Sequence, residues 1–230
     1  SHGGFLFRNF AISSIVIALA MRYLYVASEW RRSIVLEAQA RISALQALIR
    51  PHFLFNTMNT IASLVRTAPE SAEQAVEDLS DLLRANLGNQ NRSDLQNEIE
   101  VARTYQRIEQ LRLGDRLRVD WQIESLPMDA LVPSLTLQPL LENAIYHGIE
   151  MLPDGGDVRI SGQNLDGRLQ IDIQNPRDSG QQRADGHQMA LANIRQRFEL
   201  AYDRHADVHV EETADHYHVR LQFPYEVRDA

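Results

Sequence analysis

The chain contains no cysteine and no lysine; all 23 of its basic residues are arginine. Without cysteine there are no disulfides, no thiolate nucleophile and no cysteine-ligated zinc. Without lysine, P-loop NTPases, Schiff-base enzymes and kinases built on an active-site lysine are excluded. The net charge is −8 over 230 residues, which argues against direct nucleic-acid binding through a basic surface. The length suits one or two domains. A long hydrophobic run is missing too: the cleanest, Phe10 to Met21, falls short of the roughly 20 residues that span a bilayer. The first residue is Ser1 rather than methionine, which reads as a truncated or processed chain, with residues 1–4 either native or appended.

The flanks of that short run nevertheless suit a membrane. Tyr23, Tyr25 and Trp30 supply an interfacial belt, Arg22 can snorkel, and Arg31 and Arg32 follow as at a cytoplasmic exit. Residues 1–33 are therefore expected to be a last transmembrane helix and its exit, leaving 34–230 in the cytoplasm. The alternative is an amphipathic or buried soluble helix.

Residues 34–113 read as helical. Val35, Ile42 and Ile49 recur every seven residues, with Ala38 and Leu45 between them. This a/d seam predicts a parallel coiled coil, hence a homodimer, and places His52 at a d position. Pro51 crowds the carbonyl of Ala47 and should loosen the helix there. Met58, Ile61, Leu64 and Val65 continue the apolar pattern. Thr67-Ala-Pro-Glu70 reads as a capping box opening a second helix, with Ala72, Ala75, Val76, Leu79, Leu82, Leu83 and Leu87 as its stripe and Gly88 as its stop. Ser93 with Gln96 should open a third, bearing Ile99, Ala102, Tyr105, Ile108 and Leu111.

Gly114-Asp115 breaks the helical period. Beyond it, 114–230 mixes strand and helix patterns. Strands are expected at Leu117–Ile123, Asp157–Gly162, Arg168–Gln174, Val208–Glu212 and His216–Phe223, and helices at Leu135–His147 and Gln188–Tyr202. The polar stretch from Pro176 to His187 has no period and is expected to be a mobile loop. Hairpins with helices on one face indicate an α+β sandwich around an antiparallel-dominated sheet.

Two stretches carry chemistry. In the first, His52 and Asn56 lie four apart and share a helical face, surrounded by Phe53, Leu54 and Phe55. A lone histidine in such a setting is more often a satisfied core residue than a reactive one. In the second, Gln138-Pro-Leu-Leu-Glu-Asn-Ala-Ile-Tyr-His-Gly148, the polar Glu142, Asn143 and His147 interrupt an apolar helix. Asn143 and His147 are again i and i+4. A neutral amide oxygen suits Mg²⁺, which takes few protein ligands beside water and phosphate oxygens.

The segment around His52 resembles the phosphoacceptor box of LytS/YehU-type sensor histidine kinases, and Gln138–Gly148 resembles their N box. Tyr105-Gln-Arg-Ile-Glu109 and Arg112-Leu-Gly-Asp-Arg116 resemble the same family's third-helix signature. The resemblance implies a dimeric helical phosphotransfer domain over 34–113 and an ATP-binding domain of the Bergerat (GHKL) fold over 114–230. It implies that His52 is phosphorylated from Mg-ATP, that Asn56 orients the imidazole or a water, that Asn143 holds Mg²⁺, and that His147 contacts the phosphate side. It further implies transfer to a response regulator, expected to carry a LytTR-type DNA-binding output, and a place in the bacterial inner membrane.

The glycine motifs depart from the family pattern. Asn175 stands at the adenine-binding Asp position, followed by Pro176 rather than a glycine. An Asn both donates and accepts, so adenine recognition is retained in principle. Gly186 begins the second glycine motif, in which Gln188 and Ala190 replace two glycines; Leu191 and Asn193 follow as nucleotide-side candidates. Tyr146 replaces a common basic residue, which leaves phosphate charge to Arg195 or Arg197. Three functions compete: a sensor histidine kinase, a degenerate kinase acting as scaffold or phosphatase, and a gyrase- or MutL-like ATPase. The last needs a catalytic Glu four residues before the metal-binding Asn, where this chain has Pro139.

Replacing Ile42 and Leu45 with aspartate should yield monomers by light scattering. A surviving dimer would place the interface elsewhere.

Overall fold

The computed structural model describes residues 19, 21–26, 29, 51–88, 91–177 and 185–228, with only the helical backbone described over 185–189. The chain divides into two units, Ser1–Pro51 and His52–Ala230. In the first, residues 19, 21–26 and 29 are helical. Among the described residues no helix is long and apolar enough to cross a membrane. The a/d seam from Val35 to Ile49, the exit arginines and most of the proposed loop after Pro176 lie outside the described residues.

Helix α1 (Pro51–Thr67) buries Phe53, Thr57 and Ile61, which recur every four residues. Ala68 alone joins it to α2 (Pro69–Leu87), whose first residue is a proline, pre-set for a first helical turn. The expected Thr67 capping box does not form. Thr67 ends α1, its hydroxyl donates back to the carbonyl of Ser63, and the cap position falls to Ala68. This back-bonding is the local competitor that threonine offers to capping. Helix α2 buries Ala72, Ala75, Leu79 and Leu82 of its expected stripe and stops at Gly88, while Val76 and Leu87, expected on the same stripe, are exposed.

Helix α3 (Leu95–Leu113) is tied to α2 by a two-pronged ion pair. Arg107 donates from Nε and Nη2 to the two carboxylate oxygens of Asp78, at 2.9 and 2.7 Å. Ser93 is not its cap: it lies in a three-residue strand β1 (Arg92–Asp94), and Asp94 takes the cap position. Strand β1 pairs antiparallel with β3 (Leu131–Pro133). Strands this short have too little alternation to be read from sequence.

The main sheet is ordered β2-β4-β5-β7-β6, with β2 (Leu117–Gln122), β4 (Gly156–Leu165), β5 (Arg168–Pro176), β6 (Asp207–Glu212) and β7 (His216–Pro224). Only β2 and β4 run parallel; the β4–β5 and β6–β7 pairs are the expected hairpins. Helices α4 (Leu137–His147) and α5 (Asp185–Tyr202) contribute Leu140, Leu141, Ile145, Leu191, Ile194 and Phe198 to the core, beside Ile160, Ile171, Val219 and Leu221 of the sheet. The alternate strand positions are polar and pair with one another: Arg118 with Asp157, and His218 and Arg220 with Asp172. The architecture is the expected α+β sandwich.

One carboxylate fixes where α4 begins. Glu98 of α3 is buried, and it accepts backbone N–H bonds from Leu135 (2.8 Å), Thr136 (2.7 Å) and Leu137 (3.1 Å), plus the Ser93 hydroxyl at 3.0 Å. The first-turn N–H groups of a helix have no partner within it, so Glu98 supplies one from outside. Burial pushes its pKa up, and the backbone and Ser93 bonds pull against that. Leu135 adopts a positive φ of 58° just before the helix, which brings its N–H to the carboxylate together with the next two. Glu98→Ala leaves two buried backbone donors and one half-buried one without an acceptor and should cost about 3 kcal/mol in urea unfolding. A loss under about 0.5 kcal/mol would contradict this account of the α4 start.

Candidate functional site

The sequence marks a histidine at the start of α1, which the structure leaves exposed, and a polar pair on α4, and the fold brings them together. The His52 ring lies 6.5 Å from that of Tyr146, centroid to centroid, edge-on at 77°. Tyr146 in turn meets His147 edge-on at 4.8 Å. Next to His52, Phe53 stacks on Tyr105 of α3 at 5.0 Å, a contact worth about 1 kcal/mol beyond its burial. That stack anchors the first turn of α1 against α3. His52 itself is exposed.

Asn56 sits one turn further along α1, where its amide nitrogen is 3.2 Å from Nδ1 and 3.4 Å from Nε2 of His52. The i,i+4 spacing thus gives the imidazole a side-chain neighbour that restrains its rotation.

On α4, Asn143 is buried one turn before His147. Gly148 closes the helix against the end of β5. A Cβ there would collide with Nδ2 of Asn175 and with the carbonyl of Ala144, and would lie 2.8 Å from the Pro176 carbonyl. The glycine therefore permits Asn175 to sit directly behind the helix end. Asn175 is buried; its Nδ2 donates to the Pro176 carbonyl at 2.8 Å, while its Oδ1 has no hydrogen-bond partner among the described residues. A buried acceptor without a donor calls for one.

This donor set fits a magnesium nucleotide. Asn143 offers the hard amide oxygen that Mg²⁺ takes. Asn175 offers an acceptor that the amino group of a purine can satisfy.

Other expectations are met differently. Gly186 lies in the first turn of α5. Leu191 is buried in the core and Asn193 is exposed. Arg197 is committed to backbone carbonyls, whereas Arg195 is exposed and tethered through Nε. Arg195 Nε donates to the Val208 carbonyl, and Arg197 Nη1 donates to the carbonyls of Ser134 and Leu135. Both arginines hold α5 to its neighbours.

A cluster beside His52 was not apparent in the sequence. Glu109 of α3, 3% exposed, accepts a bond from Nη2 of Arg112, whose Nη1 donates to Glu150 at 2.8 Å. Glu150 lies in the short turn Ile149–Met151 after α4. Burial raises the Glu109 pKa, opposed by Arg112 and by the field of His52. The signal available was phase: Glu98 and Glu109 both fall in register with the buried stripe Leu95, Ile99, Ala102, Tyr105, Ile108.

A family model described as Histidine kinase matches residues 40–117. The chain is 36% identical over 178 residues to the sensor histidine kinase YpdA of Escherichia coli, covering 71% of this chain and 31% of YpdA. It is 31% identical over 204 residues to the sensor protein LytS of Oceanobacillus iheyensis, covering 81% of this chain and 35% of that protein. To the sensor histidine kinase/phosphatase LytS of Staphylococcus aureus it is 39% identical over 124 residues, 53% of this chain and 21% of the relative. The chain thus spans about a third or less of the length of these proteins.

Gly148→Ala should force α4 and β5 apart and lower the melting temperature by an amount equivalent to about 2 kcal/mol. An unchanged melting temperature would show that this junction has room to spare.

Proposed function

The chain belongs to the LytS/YehU-type sensor histidine kinases, and on that premise we propose that it phosphorylates His52 from Mg-ATP and passes the phosphate to an aspartate on a response regulator. The observation that carries this reading is the 6.5 Å approach of the His52 ring to Tyr146, next to His147 and one turn from Asn143 on the same helix. Acceptor and nucleotide residues then face one site.

In this reading Asn143 holds the magnesium ion and Asn175 the adenine, with Gly186, Leu191 and Asn193 belonging to the segment that closes over the nucleotide. Bound magnesium supplies neutralisation of phosphate charge. Asn56 restrains the imidazole of His52, and Tyr146 backs its ring. A neutral imidazole is nucleophilic near pH 7 without further activation, so the work left to the protein is alignment.

The same reading assigns 34–113 to dimerisation and phosphotransfer, 114–230 to nucleotide binding, and 1–33 to a bacterial inner-membrane anchor. Helix α1 supports the dimer: Phe55, Met58 and Val65 are exposed, at 70%, 52% and 55%, a face that a second copy would cover. The regulator is taken to carry a LytTR-type output, as the family implies.

The second reading, a scaffold or phosphatase for the regulator, is favoured by one feature: Pro176 ends β5, and with Gln188 and Ala190 it replaces glycines that would let backbone amides approach phosphate.

Incubation of the purified chain with radiolabelled Mg-ATP, beside His52→Gln, separates the two. Acid-labile, alkali-stable label in the wild type alone is the expected result. Absence of label from a dimer that still binds a regulator would favour the second reading.

A further inference from the structure

The attack of an imidazole on phosphorus leaves positive charge on the ring, and no acidic side chain follows His52 in sequence; the next residue is Phe53. The fold supplies a carboxylate from elsewhere. Phe53 stacks on Tyr105, and Glu109 lies one helical turn beyond Tyr105 on the same face of α3. Tyr146 meets the His52 ring edge-on at 6.5 Å. We infer that Glu109 is the carboxylate that receives the positive charge His52 acquires when it attacks a phosphoryl donor. The inference rests on the reading of His52 as the phosphoacceptor.

One ring nitrogen of neutral His52 forms the N–P bond with its lone pair. The bond from phosphorus to the leaving group breaks, and its electron pair departs with that group. The proton on the other ring nitrogen passes through one bridging water to the Glu109 carboxylate, which becomes neutral; the two side chains make no direct hydrogen bond before the reaction.

The surroundings of Glu109 suit this task. The charged groups whose fields act on it are Arg112 on its own helix, Glu150 from the turn after α4 and His52 from α1. Arg112 holds Glu109 in place but is shared with Glu150, so its charge is not spent on Glu109 alone. Arg116 reaches the same turn but bonds the backbone carbonyls of Glu150 and Leu152, not a carboxylate. Burial raises the proton affinity of Glu109, and the field of His52 reaches it. A buried carboxylate of raised basicity is the kind that takes a proton at neutral pH.

The test uses phosphoramidate, a small donor that phosphorylates histidine without a nucleotide site, so a failure of ATP binding cannot be mistaken for a failure of this inference. In the full chain, the rate of phosphohistidine formation at His52 should fall roughly 100-fold in Glu109→Gln and recover in part in Glu109→Asp. Should Glu109→Gln fail to fold, Glu150→Gln serves instead: with Arg112 then paired to Glu109 alone, the rate should fall a few-fold. Equal rates in the folded variants and the wild type overturn the inference. So does an unchanged phosphoramidate rate beside a lost ATP-dependent one, since Glu109 would then serve the nucleotide and not the imidazole.

Discussion

Both ends of α4 are held by carboxylates from one helix, α3, and the site depends on that grip. At the N-terminal end Glu98 accepts three backbone N–H bonds from Leu135, Thr136 and Leu137. At the C-terminal end Glu109 acts through Arg112 on Glu150, in the turn that follows α4. Neither carboxylate is exposed. Buried charge without partners is costly, so each arrangement persists only while its partners stay in place. The cost of breaking either one fixes α4, and with it Asn143, Tyr146 and His147, in a single position relative to α3.

Helix α1 is held more lightly. Its buried residues are Phe53, Thr57 and Ile61, and the ring stack of Phe53 on Tyr105 sets the position of its first turn. His52 therefore meets the α4 face through one aromatic anchor, whereas α4 is held by networks of charged hydrogen bonds.

Much of this fold was legible in sequence because its signals are local. Strict alternation marked the β4–β5 and β6–β7 hairpins, and the stripes of α2 and α3 followed their period. Caps were less legible. Thr67 and Ser93 each had the right chemistry at nearly the right place, but Thr67 bonded back to Ser63 and Ser93 joined a strand and bonded Glu98. The site was legible as two motifs and not as one place: nothing in residues 50–56 or 138–148 says that they meet. The arginines show why charge alone misleads. Arg195 and Arg197 lay close to the glycine motif, yet helix packing turned both toward backbone carbonyls. Glu98 and Glu109 were the reverse case, because their meaning lay in falling on the apolar side of α3.

The central claim is that His52 and the nucleotide-holding face of α4 and β5 form one site. Paramagnetic broadening by manganese-ADP tests it most directly, with the histidine ring resonances followed by NMR. The account predicts that His52 broadens together with His147, while His209 on the edge strand β6 broadens less. Broadening that spares His52 while the complex demonstrably forms would contradict it.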